Sequence, residues 1–343
     1  MIPYIIFYII ILALTFKIKE KKFEIWDFIL LGVLISFSAF RTVGVDYNLY
    51  KLNFEHLTLS SSITSRTGIA YAYFAYFVKF VLKNDFQIII IVISLITNIF
   101  IYLFFKKNSK RPGMSLLIYI SLGFYTTSFN MFRQMLSFAI VLHGLNKFNE
   151  KKYLKMIVLY CLAFFIHSSS IIAIIMYTFF SKFPKIEINK ILLFSLSIFG
   201  LIFYNKLFPL VVKLTNGYEM YLNYDSTPGI GTFMIVGTFL IIYFFMFLLN
   251  KKKIIDFEQS NTFLNLLTIG IAIMILELKN FLFFRFAFYF TFFISIIFVD
   301  YYESCNLKKN KFLNLAFYLC MFIYFLVYIN NFDGVVPYNW IFG

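Results

Sequence analysis

The sequence predicts an all-α protein, a polytopic transmembrane helix bundle that forms a single integral membrane domain over residues 1–343. Composition supports this class, because 61% of the residues are hydrophobic and a soluble domain usually has roughly 45–50%. Patterning supports it too, since apolar runs of roughly 14–20 residues recur from end to end, with short Lys-rich or Asn-rich breaks between them. No polar stretch is long enough to build a separate soluble domain.

The apolar runs are the elements of this bundle, and several are short for a hydrocarbon core about 30 Å thick. We interpret them as about twelve crossings, including short broken helices, with both termini outside. Residues 66–82 are amphipathic and predict an interfacial or re-entrant helix on the outer face instead. The runs are 2–16, 26–40, 86–105, 114–128, 132–147, 153–166, 168–181, 190–204, 231–249, 262–277, 283–299 and 312–329.

Two long stretches decide the topology. Residues 114–147 would make a helix about 51 Å long, too long for one crossing, so Asn130 and Arg133 mark a break. Residues 153–181 are divided at His167 and the serines after it, since this division places six basic clusters on one side, as cytoplasmic loops require. The clusters are Lys17/Lys19/Lys21/Lys22, Lys106/Lys107/Lys110/Arg111, Lys147/Lys151/Lys152/Lys155, Lys182/Lys185/Lys190, Lys251–Lys253 and Lys308/Lys309/Lys311.

Arginine is distributed differently from lysine in this topology. Four of the five arginines, Arg41, Arg66, Arg133 and Arg285, fall on the outer side, against the usual cytoplasmic preference. A guanidinium group binds phosphate or carboxylate through its forked donors, so an anionic ligand is expected on the outer face. The predicted outer-face loops are 41–68 and 205–230, and the second resembles any aromatic-rich interfacial loop.

Two polar constellations interrupt the first half of the chain. Arg41 and Asp46 flank Gly44, which permits a turn between them, and either bind phosphate or form a clasp that pins the loop. Arg133, with Gln134 after it, lies inside an apolar hairpin, where an arginine needs a water-filled cavity or a structural partner.

Two more constellations follow. His167, ahead of three serines, is a candidate proton acceptor or a hydrogen-bonded core residue. The stretch from Glu277 to Asn280 precedes Arg285 and Tyr289, which share a helix face. Arg285 is therefore either a second diphosphate ligand or a snorkelling interfacial arginine.

Together these motifs resemble the EpsG family, relatives of the Wzy-type O-antigen and capsule polymerases. The matching residues are Phe40-Arg41-x-x-Gly44-x-Asp46-x-x-x-Tyr50, Arg133-Gln134 ahead of Lys151-Lys152-Tyr153, Phe165-x-His167-Ser168-Ser169, and Arg285 in an aromatic helix. The resemblance covers residues from about 25 to 300 in the family's order. It implies a GT-C-like or Wzy-like fold in the bacterial cytoplasmic membrane. It also implies a glycosyltransferase that joins oligosaccharide repeat units carried on undecaprenyl diphosphate on the outer face.

This chemistry assigns a role to each candidate residue. The predicted catalytic residues are His167 or Asp46 as the base that activates the acceptor hydroxyl, and Arg133 at the diphosphate leaving group. The predicted substrate-binding residues are Arg41, Arg285, Tyr50, Tyr289 and Gln134. No metal and no cofactor is expected. Chain-length regulators and export proteins are the expected protein partners.

Other functions remain open at this point. A flippase or transporter of lipid-linked oligosaccharides would also place cations in a membrane cavity. An acyltransferase of cell-surface sugars would use a histidine base, and a non-catalytic assembly scaffold would need neither Arg133 nor His167. Nucleic-acid binding is not expected despite the net charge of +15, because no separate basic domain carries it. The sequence does not distinguish capsule, exopolysaccharide and O-antigen as products.

Overall fold

The computed structural model describes residues 1–18, 22–58, 68–82, 85–215, 229–250, 258–304, 310–331 and 334–342. Within these ranges the regular structure is helical, apart from one isolated bridge between Arg41 and Trp340. The prediction of an all-α fold is confirmed for them. The described ranges do not include Arg66, residues 19–21 and 251–253, or residues 216–228 of the predicted loop 205–230.

The helices are numbered here in chain order. They are α1 (Ile2–Lys17), α2 (Ile25–Ala39), α3 (Tyr47–Glu55), α4 (Ile69–Val81), α5 (Phe86–Asn108), α6 (Pro112–Ser121), α7 (Phe124–Thr127), α8 (Phe132–Asn149), α9 (Tyr153–Ile166), α10 (Ser170–Lys182), α11 (Lys190–Ile202), α12 (Tyr204–Thr215), α13 (Ile230–Asn250), α14 (Glu258–Ile275), α15 (Leu282–Thr291), α16 (Ile294–Ser304) and α17 (Lys311–Asn331). The chain divides into two compact units, Met1–Ile175 with Asn306–Gly343, and Met176–Cys305. The single integral membrane domain over residues 1–343 stays a prediction.

Only part of the predicted crossings reaches membrane-spanning length. Among the described residues, four helical segments are long and apolar enough to cross: Phe86–Asn108, Ile230–Leu248, Asn261–Leu278 and Lys311–Asn331. Counting each bent pair, α11 with α12 and α15 with α16, as one span raises the number to 6. The apolar helices α1, α2, α4, α6, α9 and α10 have only 10–17 residues each, so the count of about twelve crossings stays a prediction.

The predicted crossing 114–128 is broken in the structure. Gly123 adopts a φ of +84° and ends α6, so α6 and α7 replace one continuous helix. A Cβ atom at Gly123 would lie 2.1 Å from the ring of Tyr328. The Tyr328 hydroxyl and the Thr127 hydroxyl are hydrogen-bonded at 2.7 Å. The break therefore makes room for Tyr328 of α17. Hydropathy alone does not predict this contact.

The first unit has a basic end. The Lys106 ammonium group forms a buried ion pair of 2.6 Å with Asp27 and donates to the Lys22 carbonyl at 2.8 Å. Glu150, between α8 and α9, pairs with Lys107 at 2.6 Å and Lys152 at 2.8 Å. Hydrogen bonds from these lysines, Lys107 first, hold the pKa of Glu150 far below its usual range. Three of the predicted basic clusters thus come together at this end.

The two terminal segments of the chain lie at the opposite end of α2. The Tyr4 hydroxyl donates to the Val335 carbonyl at 2.8 Å, and the Tyr338 hydroxyl donates to the Phe37 carbonyl at 2.6 Å. Since Asp27 and Phe37 lie near opposite ends of α2, the terminal segments are separated from the basic end by the length of that helix.

In the second unit, α14 and α15 pack closely along each other. A Cβ atom at Gly270 would lie 2.7 Å from the Phe290 side chain and the Thr291 backbone nitrogen, so only glycine permits this approach. Asn265 on α14 donates to the Ile186 carbonyl at 2.6 Å and thereby holds the segment before α11. The α11–α12 pair then bends by 93°, and α12 places a helix where a loop over 205–230 was expected.

Candidate functional site

The register of the α8–α9 hairpin places Arg133 and His167 at the same end. Ser137 on α8 donates a hydrogen bond of 2.7 Å to the Ala163 carbonyl on α9. Arg133 lies four residues before Ser137, and His167 lies four residues after Ala163, each about 6 Å further along its helix. Because the two helices run antiparallel, both displacements point in the same direction, toward the end that is remote from Glu150.

Aromatic rings surround the guanidinium group of Arg133. Its central carbon lies 4.9 Å from the ring centre of Tyr50 and 5.1 Å from that of Tyr71. Phe132 supports the Tyr50 ring at 4.1 Å between centroids. Such cation–π contacts orient a guanidinium group without neutralising it. Arg133 is only partly buried, so its guanidinium group lies at the border of the packed interior.

The segment 41–50 folds onto the turn before α8. The Asn130 side-chain oxygen accepts a hydrogen bond of 2.7 Å from the Val45 backbone nitrogen. Gly44 has a φ of +133°, and a Cβ atom there would lie 2.8 Å from the same oxygen. This contact brings Asp46, at the start of α3, and Tyr50, one turn further on, to the Arg133 region.

The beginning of α4 lies against the end of α9. Gly68 has a φ of +91°, and a Cβ atom there would lie 2.3 Å from the Ile166 carbonyl oxygen. His167 follows directly, and its backbone nitrogen bonds to the Ala163 carbonyl at 2.9 Å. Tyr71, three residues after Gly68, reaches the Arg133 guanidinium. Four segments, α3, α4, the start of α8 and the end of α9, therefore meet at one site.

Arg41 is engaged inside the protein. It is 2% exposed, donates to the Phe129 carbonyl at 3.2 Å and to the Ser38 carbonyl, and lies 4.2 Å over the Phe129 ring. Its hydrogen-bonding partners thus include two carbonyl oxygens and, at 3.5 Å, the Ser94 hydroxyl. Burial lowers the pKa of Arg41 to about 10, so the group stays charged at neutral pH. Direct binding of a diphosphate by Arg41 stays a prediction.

The other predicted residues occupy different places. Gln134 is 4% exposed, in the buried first turn of α8. Arg285 and Tyr289 belong to the second unit, where Arg285 lies 6.0 Å from the Phe281 ring. Tyr289 is fully buried and its carbonyl accepts a hydrogen bond from the Tyr177 hydroxyl. Their roles in substrate binding stay predictions.

Tyr71 is the member of the site that the sequence analysis did not select. The sequence does show an aromatic-rich pattern in this region, since the amphipathic segment 66–82 contains Tyr71, Tyr73 and Tyr76. Which of these rings meets a distant arginine depends on tertiary packing. No group of three or more His, Cys, Asp and Glu side chains that could hold a metal lies within the described ranges, and metal independence stays a prediction.

These features define the class as a helical membrane protein with a cationic, aromatic-lined site at one end of a helix hairpin. The model of the EpsG family matches residues 24–340, nearly the whole chain, and the chain belongs to that family. EpsG family members are Wzy-type polymerases, as the motifs predicted. Neither the comparison with curated proteins nor that with solved structures finds a match.

Proposed function

We propose that this protein is a polysaccharide polymerase that joins undecaprenyl-diphosphate-linked oligosaccharide repeat units on the outer face of the bacterial cytoplasmic membrane. The observation that carries the proposal is the placement of Arg133 and His167 at one end of the α8–α9 hairpin, set by the Ser137–Ala163 hydrogen bond. This arrangement supplies a fixed cation and a proton acceptor to one reaction.

The proposed reaction transfers the growing chain to the incoming unit. A hydroxyl oxygen of the incoming sugar attacks the anomeric carbon that carries the growing chain. The bond from that carbon to the diphosphate oxygen breaks, undecaprenyl diphosphate leaves, and the hydroxyl proton passes to His167, or to Asp46 as the second choice. Arg133 stabilises the charge that develops on the leaving diphosphate. A base matters because the attacking hydroxyl must lose its proton as the new bond forms.

The aromatic rings give Arg133 a fixed direction. Tyr50 and Tyr71 hold the guanidinium from two sides, so little reorganisation is needed when charge develops. In the proposal Arg41 contributes to diphosphate binding from its place next to this site, where it donates to the Phe129 carbonyl beside Asn130. Gln134 completes the first turn of α8, and Arg285 with Tyr289 provides a second substrate-binding group.

The outer-face location is supported by the distribution of charge. The lysines that pair with Asp27 and Glu150 lie at the end of the first unit remote from Arg133, and basic clusters mark the cytoplasmic side. The proposal retains about twelve crossings, with the shorter helices as additional ones. Chain-length regulators and export proteins are the proposed partners, and capsule, exopolysaccharide and O-antigen are the candidate products.

Purified protein in nanodiscs, given the lipid-linked repeat unit of its own host, tests this proposal. A ladder of saccharide polymer is expected, with release of undecaprenyl diphosphate. If no ladder forms and the protein in sealed vesicles instead moves the lipid-linked unit across the bilayer, it is a flippase and the proposal fails.

A further inference from the structure

The second unit buries a carboxyl group that forms no hydrogen bond with any residue that the structure describes. Glu277 lies in the 3₁₀ turn Leu276–Leu278 between α14 and α15 and is 3% exposed. Within the described part of the chain, neither of its two carboxyl oxygens accepts a hydrogen bond. Burial of such a group is unfavourable, so an acidic residue kept at this depth indicates a ligand that supplies the missing donors.

The turn lies at the surface of its unit. Lys279 is exposed, and Leu276 and Leu278 are partly exposed, whereas α11 closes one side, since a Cβ atom at Gly200 would lie 3.1 Å from Leu276. The turn that carries Glu277 therefore borders the surface of its unit, although the Glu277 side chain itself is buried.

An amide and an aromatic ring accompany Glu277. Asn280 lies three residues further on, just after the 3₁₀ turn, and is itself buried. The Asn280 side chain is hydrogen-bonded to Tyr204 and accepts a hydrogen bond of 2.8 Å from the Leu282 nitrogen. Tyr204 is partly exposed and stacks on Phe208 with 4.9 Å between ring centroids.

We propose that Glu277, Asn280 and Tyr204 form a sugar-binding subsite. The carboxyl oxygens accept hydrogen bonds from ring hydroxyls, the amide fixes Tyr204, and the aromatic ring packs on the apolar face of a sugar. The identity of the sugar as part of the repeat unit rests on the proposed function, and the presence of the subsite rests on these three side chains.

Binding of the free saccharide tests the subsite separately from catalysis. The probe is the host's repeat-unit oligosaccharide released from its lipid by mild acid, titrated into the full-length protein in nanodiscs by calorimetry. Glu277→Gln is expected to weaken binding about tenfold, as loss of a charge-assisted hydrogen bond does. The matched control is Asp300→Asn, the same change at another buried acid of this unit, which should bind as the unchanged protein does.

Glu277→Met distinguishes binding from folding. It removes an unpaired buried carboxyl group, so its thermal midpoint should equal or exceed that of the unchanged protein, while saccharide binding weakens. Unchanged affinity in both Glu277 variants, or no binding by the unchanged protein, overturns the inference. Polymer formation from the lipid-linked unit is scored in a separate reaction, so failure of the subsite and failure of the polymerase are distinguishable.

Discussion

The hydroxyl group of Ser137 donates a hydrogen bond of 2.7 Å to the carbonyl oxygen of Ala163. This contact sets the register of α8 against α9, and both residues are fully buried. Arg133 on α8 and His167 at the end of α9 each lie about one turn beyond this contact, in the same direction, because the two helices are antiparallel. The candidate catalytic pair is thus held by a closely packed hairpin, in which Gly144 lies against the Tyr160 ring. Rigid placement of this kind is what charge stabilisation requires.

The Arg133 side chain is predicted to act through its forked shape as well as its charge. Arg133→Lys keeps the charge but loses the planar group that stacks on Tyr50 and binds phosphate with two donors. The rate of polymer formation is expected to fall at least about tenfold. Lys51→Ala, an exposed position beside Tyr50 on α3, is the matched control and should leave the rate unchanged. Full activity in Arg133→Lys would show that a point charge suffices.

The rings of Tyr50 and Tyr71, and not their hydroxyl groups, are predicted to orient Arg133. Tyr50→Phe and Tyr71→Phe should retain polymerisation, whereas Tyr50→Leu and Tyr71→Leu should lower it several-fold, since a cation–π contact is worth about 0.5–2 kcal/mol. Initial rates at saturating repeat unit measure the effect. Equal losses in the Phe and Leu variants would assign the role to the hydroxyl groups.

Gly68 is predicted to be required for the approach of α4 to α9. Gly68→Ala strains a φ of +91° and drives a Cβ atom into the Ile166 carbonyl, so both thermal stability and polymerisation should fall. Gly32→Ala is the control, because nothing lies within 4 Å of a Cβ atom there and alanine favours a helix by about 1 kcal/mol. A Gly68→Ala variant as stable and active as Gly32→Ala would contradict the described contact.

The buried Asp27–Lys106 pair is predicted to stabilise the fold without taking part in catalysis. Asp27→Asn should destabilise the protein by about 3–5 kcal/mol because it leaves a buried ammonium group unpaired. The double variant Asp27→Asn with Lys106→Met should recover part of that loss. Unfolding in mixed detergent micelles measures both, and the rate per folded molecule should not change, since the pair lies at the basic end. A lower rate per folded molecule would link this end to the site.

Much of the fold was predictable because hydropathy reports helices directly. The division at His167 was predicted from charge, and α9 does end at Ile166. The break at Gly123 was not predictable, since it depends on Tyr328, which is remote in sequence. The helix α12 was not predicted, because residues 205–230 were all expected to form one outer loop.

The site was predictable in part. Arg133 and His167 were selected because polar residues in apolar runs demand a reason, and Tyr50 was selected because it belongs to the family motif that begins at Phe40. Asn130 acquires its role only when the turn at Gly44 packs against it. The environment of Arg41 could not be inferred either, because backbone carbonyls are present at every position and sequence does not reveal which of them a guanidinium meets.

The most direct test of the central claim compares polymer formation by the unchanged protein, Arg133→Ala and His167→Ala in nanodiscs, with the lipid-linked repeat unit and EDTA present. The account predicts a ladder from the unchanged protein and loss of it in both variants, with folding verified by the thermal midpoint. Ladders of equal intensity from both folded variants would contradict the account and remove Arg133 and His167 from the reaction.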